Sequence, residues 1–98
     1  MAKVLRMKWS GITAEQYHES REKVGWESDP ADGGILHVAW MDGGDLHVLD
    51  VWESEAHFQR FLEDRLQPIV VGHMGITTQP EAQWFDAAAY YRPGLDDK

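Results

Sequence analysis

The sequence predicts an α+β fold of the ferredoxin-like type, a four-stranded antiparallel sheet in βαββαβ order with two helices on one face. Three observations carry this expectation. Two helical stretches with clear start signals alternate with four short apolar runs. A Gly-Gly turn joins the two middle runs into a hairpin. The resulting order is a pair of split β-α-β units, which close into one such sheet.

Each element has its own signal. Val4 to Trp9 reads as the first strand, with Val4, Arg6 and Lys8 alternating against Leu5, Met7 and Trp9. Thr13 followed by Gln16 is a capping-box start, Tyr17, Arg21 and Val24 continue one helical face, and Gly25 stands where a helix closes. Trp26 to Gly34 contains Asp29-Pro30 and Gly33-Gly34 and reads as a loop. Ile35 to Met41 and Leu46 to Trp52 are the hairpin strands, turning on Asp42-Gly43-Gly44-Asp45, because glycine supplies the positive φ angles of a tight primed turn. Ser54 caps a second helix running to about Leu66, with Phe58, Phe61, Leu62 and Leu66 on one face and Pro68 expected to stop it. Ile69 to Thr78 is ambiguous between a helical turn and a loop. Ala82 to Asp86 is the last strand, and Tyr90 to Gly94 reads as a tail laid over a neighbouring subunit.

Composition bounds the function. The 98 residues point to one domain, with a core over about 3–86 and a tail over 87–98. Nine Lys and Arg stand against seventeen Asp and Glu, for a net charge of −8. Nucleic-acid binding needs clustered basic residues, so neither nucleic acid nor an anionic membrane surface is an expected partner. The absence of cysteine removes disulfides, thiolate metal sites and thiol nucleophiles. The charged first residues lack a signal-peptide core and no apolar run reaches membrane-spanning length, so a cytoplasmic location is expected.

The strands carry apolar residues on both faces, and such a sheet has to be covered on both. The helices cover one face. A second copy of the chain is expected to cover the other, giving a homodimer.

The residues Gly34-Ile35-Leu36-His37-Val38-Ala39-Trp40, the Asp-Gly-Gly turn and Val51-Trp52-Glu53-Ser54-Glu55-Ala56-His57-Phe58-Gln59-Arg60-Phe61-Leu62 resemble the dimeric α/β-barrel superfamily, in its antibiotic-biosynthesis-monooxygenase-like branch. Trp52, Ser54, Phe58 and Phe61 fit the W-x-S-x-x-x-F-x-x-F pattern found there. The resemblance spans about residues 3–86. It implies two sheets facing each other as a dimeric barrel, with a pocket between sheet and helices in each subunit. Its haem-degrading members use an Asn on the first strand, a Trp in the second helix and a His ten residues on. Here the first strand has no Asn, and the matching positions are Phe61 and Val71, so haem degradation is not expected.

A hairpin turning on Gly43-Gly44 pairs Asp42 with Asp45, Trp40 with His47, Val38 with Leu49, and His37 with Asp50. Opposed side chains lie about 4.5–5.5 Å apart at Cβ, so His37 and Asp50 come within hydrogen-bond reach. A His held in one tautomer by a carboxylate is equipped as a general base. The same pair also reads as a structural hydrogen bond buried inside the dimer barrel. Trp40 and His47 lie on the opposite face with Leu36, Val38, Leu49 and Val51, and this more apolar face is expected to meet the helices. Tyr17 and Phe61 would line the same space.

The candidate catalytic residues are therefore His37 and Asp50. The candidate substrate-binding residues are Tyr17, Trp40, His47, Trp52, Phe61 and His73, the last as a lid. His18 and His57 read as solvated. No metal-ligand spacing, Gly-rich phosphate loop or nucleophile elbow occurs, so no cofactor is implied. An apolar pocket with few polar groups suits a small apolar, aromatic or polyketide-like ligand. With the resemblance, this implies a cofactor-independent monooxygenase-like enzyme. The competing reading is a non-catalytic ligand-binding or stress-related homodimer.

Overall fold

A computed structural model describes residues 2–91. The order is β1 (Lys3–Ser10), α1 (Ala14–Val24), β2 (Gly34–Asp42), β3 (Asp45–Trp52), α2 (Glu55–Phe61) and β4 (Glu81–Asp86). The strands form one antiparallel sheet in the spatial order β2-β3-β1-β4, the ferredoxin-like arrangement.

Local chemistry sets the element ends. Thr13 Oγ1 accepts from the Gln16 amide at 3.0 Å, and Gln16 Oε1 accepts from the Thr13 amide at 2.9 Å, so two unpaired donors at the start of α1 are satisfied reciprocally. The hairpin turns with φ of 62° at Gly43 and 88° at Gly44, as a two-residue primed turn demands. Its register pairs Trp40 with His47 and His37 with Asp50, and an irregularity at Ile35 lets Gly34 face Trp52.

Two expectations are corrected. Pro68 does not stop the second helix. The chain continues from α2 through π-helical turns at Leu62–Leu66 and Pro68–His73, ending at Met74. Gln67 N–H bonds to Leu62 and Met74 N–H to Ile69, each five residues back. In this wider ladder the missing N–H of Pro68 and its ring no longer conflict with the carbonyl four residues earlier. The ambiguous segment from Ile69 is thus helical to His73, with no regular secondary structure from Gly75 until β4 begins at Glu81.

The second correction concerns the faces of the sheet. Leu5, Met7, Leu46, Val48 and Trp52 are buried against Phe58 and Ile12, with Tyr17, Phe61 and Trp84 packed around them. The face that meets the helices is therefore the one carrying His37 and Asp50. Trp40 and His47 lie on the helix-free face with Val38 and Phe85, where Val38, Trp40 and Phe85 are 44%, 45% and 50% exposed. The first strand explains the choice. Arg6 and Lys8 are in register with Leu49 and His47, so covering that face with helices would bury two cations. Tyr90 and Tyr91 are exposed and belong to no helix or strand. The rest of the expected tail, from Arg92, lies outside the described residues.

Candidate functional site

Side chains two apart on a strand share a face, and β3 uses this to place Asp50 beside Trp52. The register then sets His37 of β2 opposite Asp50. His37 Nδ1 lies 2.6 Å from Asp50 Oδ1, and Trp52 Nε1 donates to Asp50 Oδ2 at 3.1 Å. Asp50 is 5% exposed, and both of its oxygens have a partner.

α1 completes the chain of contacts. Tyr17 Oη is 2.7 Å from His37 Nε2, with the phenol and imidazole planes 13° apart. With the carboxylate ionised and the imidazole neutral, the Nδ1–H of His37 points at Asp50 and Nε2 accepts from the Tyr17 hydroxyl. The order Tyr17, His37, Asp50, Trp52 is a continuous hydrogen-bonded line across two strands and a helix.

Trp26, in the α1–β2 loop, stands edge-on to His37 at 5.2 Å and tilted on Tyr17 at 6.1 Å. Sequence reasoning missed it, because a loop tryptophan has no periodicity to say which way it turns. Next to it, Glu27 receives Arg21 through two bonds, Nε to Oε1 at 2.5 Å and Nη2 to Oε2 at 2.8 Å. The Arg21 guanidinium holds the Glu27 carboxyl below its ordinary range. Burial, opposed by Arg21 and reinforced by Asp50 and Glu27, pushes the Tyr17 phenol above its ordinary range.

These groups border a cavity of about 220 Å³ between the sheet and the helices. Its walls are mostly apolar, with Met7, Ile12, Leu46, Val48 and Phe58 among them. Of the sequence-derived candidates, the structure brings Tyr17, His37, Asp50, Trp52 and Phe61 to this one cavity. Trp40 and His47 do not reach it. They stack on each other across the sheet's other face, with centroids 5.3 Å apart. His73 lies exposed at the end of the second helix and is not part of the lining. His18 is exposed, as expected, but His57 is half-buried, with Nδ1 2.6 Å from Ser54 Oγ. Among the described residues no group of three His, Asp or Glu is placed to hold a metal ion. No helix among them is long and apolar enough to cross a membrane.

No family model and no curated protein matches the chain. Solved structures do. A protein of unknown function from Nitrosomonas europaea superposes with a TM-score of 0.70 at 15% identity, covering 94% of each chain. A candidate antibiotic biosynthesis monooxygenase from Chloroflexus aurantiacus J-10-fl gives 0.68 at 14% identity, covering 96% of this chain and 100% of that one. The cofactor-independent oxygenase SnoaB from Streptomyces nogalater gives 0.66 at 13% identity, covering 91% and 95%. At such identities the likeness is one of backbone architecture: the chain has the ferredoxin-like fold that these proteins share.

Proposed function

We propose that this protein binds a compact aromatic or polyketide-like molecule in the cavity beneath its helices and oxygenates it without a cofactor. The observation that carries the reading is the His37–Asp50 pair at 2.6 Å, set in the wall of a mostly apolar cavity. The fold shared with a cofactor-independent oxygenase supports the reaction class by analogy.

In this reading His37 takes a proton at Nε2, and Asp50 fixes its tautomer and faces the imidazolium that results. The ionised phenol or enol is electron-rich at the ring carbon para or ortho to the oxygen. Dioxygen is the oxidant. One of its atoms becomes a carbonyl oxygen on that carbon, and the other leaves as water with the hydrogen of that carbon and the proton of the original hydroxyl, so that a quinone-type product results. Apolar walls exclude bulk water from the anion. The cavity is smaller than the roughly 300–1,000 Å³ of drug-sized sites, which favours one or two fused rings. A second copy of the chain covers the exposed Val38, Trp40 and Phe85 face and completes a homodimer.

The test is tryptophan quenching and oxygen uptake with a panel of one- and two-ring phenols and hydroxylated dihydronaphthalenes. Saturable quenching with oxygen uptake is expected, and His37→Ala should slow the uptake by about 100-fold or more. Binding without oxygen uptake across the panel would leave the non-catalytic ligand-binding dimer as the correct reading. Uptake unchanged in His37→Ala would remove His37 from the reaction.

A further inference from the structure

We propose that Tyr17, and not His37, is the group that meets the ligand, receiving its proton while handing its own to His37, and that the ligand is an uncharged phenol or enol. The proposal rests on the reading above that the cavity is a ligand site with His37 as its base.

The geometry leaves His37 no direct line to a guest. Nδ1 is committed to Asp50, and Nε2 is held by Tyr17 Oη at 2.7 Å. Trp26 stands edge-on to the imidazole at 5.2 Å and takes further space beside the ring. A ligand reaches Nε2 only by displacing the Tyr17 hydroxyl. That hydroxyl donates to Nε2 and keeps acceptor capacity on its oxygen. Tyr17 borders the cavity, so a ligand O–H pointing at its oxygen extends the line already built.

The proton balance is simple. The ligand O–H bond breaks and its proton joins the Tyr17 oxygen. The original Tyr17 proton passes to His37 Nε2, forming an N–H bond. Tyr17 ends neutral, the ligand is an oxyanion, and the new imidazolium faces the Asp50 carboxylate. No electron changes hands. A phenol whose ionisation is raised by burial keeps its proton at neutral pH, so Tyr17 passes protons rather than acting as a standing anion.

The charge around the cavity sets the ligand class. Among the described residues its lining contains neither Lys nor Arg, and its one carboxylate is Asp50. The neighbouring cations are engaged elsewhere, Arg21 with Glu27, and Arg65, 5.4 Å over the Phe61 ring, with the Val24 and Asp29 carbonyls. A ligand that arrives as a carboxylate or phosphate brings no proton to make His37 a cation and meets the Asp50 carboxylate uncompensated, so it binds more weakly than a neutral phenol or enol.

The probe is 4-nitrophenol with the full chain, at a pH about one unit below its own ionisation in water. The bound molecule is expected to show the nitrophenolate absorption band. Tyr17→Phe should reduce that band about tenfold, while nitrobenzene binds within about twofold of its wild-type affinity, which shows the cavity intact. His37→Gln should also remove the band, and 4-nitrobenzoate should bind at least about tenfold more weakly than 4-nitrophenol. A band that persists in Tyr17→Phe, or one absent when wild-type protein is saturated, overturns the role of Tyr17 but leaves the cavity as a ligand site. Equal binding of 4-nitrobenzoate overturns the uncharged class. Failure of both 4-nitrophenol and nitrobenzene to bind overturns the ligand-site reading itself and this proposal with it.

Discussion

Trp52 and Asp50 stand one pleat repeat apart on β3, and the indole N–H of one donates to the carboxylate of the other at 3.1 Å. The second carboxylate oxygen takes the imidazole of His37. Asp50 is thus a buried carboxylate with a partner on each oxygen. Asp50→Ala strands both donors and should cost about 2–4 kcal/mol, measured by urea unfolding. Asp50→Asn keeps the volume and one acceptor and should cost less. Equal losses for the two would mean that the charge, which both changes remove, accounts for the whole effect and the retained acceptor for none of it.

Tyr17 should reveal itself in an alkaline titration. Its folded-state ionisation is raised, chiefly by burial, so the neutral phenol is the form the fold prefers. The associated stability is fully present below the unfolded-state tyrosine value and is lost as pH rises through the higher folded-state value. Tyrosinate absorbance should therefore contain a late step, above the ordinary tyrosine range, that is missing in Tyr17→Phe. A titration curve identical for the two proteins would contradict the buried setting of this phenol.

Gly33 should resist substitution for two separate reasons. Its φ is +81°, and an added Cβ would lie 2.3 Å from His57 Cγ. Gly33→Ala should cost about 2–4 kcal/mol, combining left-handed strain with a steric clash. In a His57→Ala background the ring contacts are gone while the Cβ contact at 2.6 Å and the strain remain, so the same substitution should there cost less than in the wild type but not become neutral. Thermal melts of the four proteins supply the comparison.

The helix-free face offers a test of self-association. Val38 and Trp40 lie on it, 44% and 45% exposed. Val38→Lys with Trp40→Glu should convert the expected homodimer into a monomer by sedimentation while leaving the far-ultraviolet circular dichroism of the fold. A dimer that survives both changes must use another surface.

The backbone plan was readable because its signals are local. Thr13 with Gln16, Gly25, Gly43-Gly44 and Ser54 each act within a few residues, and the hairpin turn fixed the meeting of His37 with Asp50. The choice of face was harder. Leu36, Val38, Trp40, Leu49 and Val51 look more like a core than a face containing His37 and Asp50. A polar pair that satisfies itself can nevertheless be buried, and the decisive evidence lay on another strand, in Arg6 and Lys8. Pro68 misled for a different reason: the rule that proline ends a helix assumes the α spacing of hydrogen bonds, which the chain abandons at Leu62. Trp26 was invisible because its position depends on how a loop folds back over α1.

Those widened turns have a consequence for the ceiling of the cavity. A π turn stores about one more residue than an α turn, so the stretch from Leu62 to His73 carries surplus backbone. Leu66 and Val70 both border the cavity from this stretch. Were the same residues wound at α spacing instead, the extra residue would swing everything beyond it by about 100°. Val70 would then leave the roof and a different side chain would take its place. The depth available to a guest is in this sense counted out in residues, because the widened turns decide which side chains hang over it.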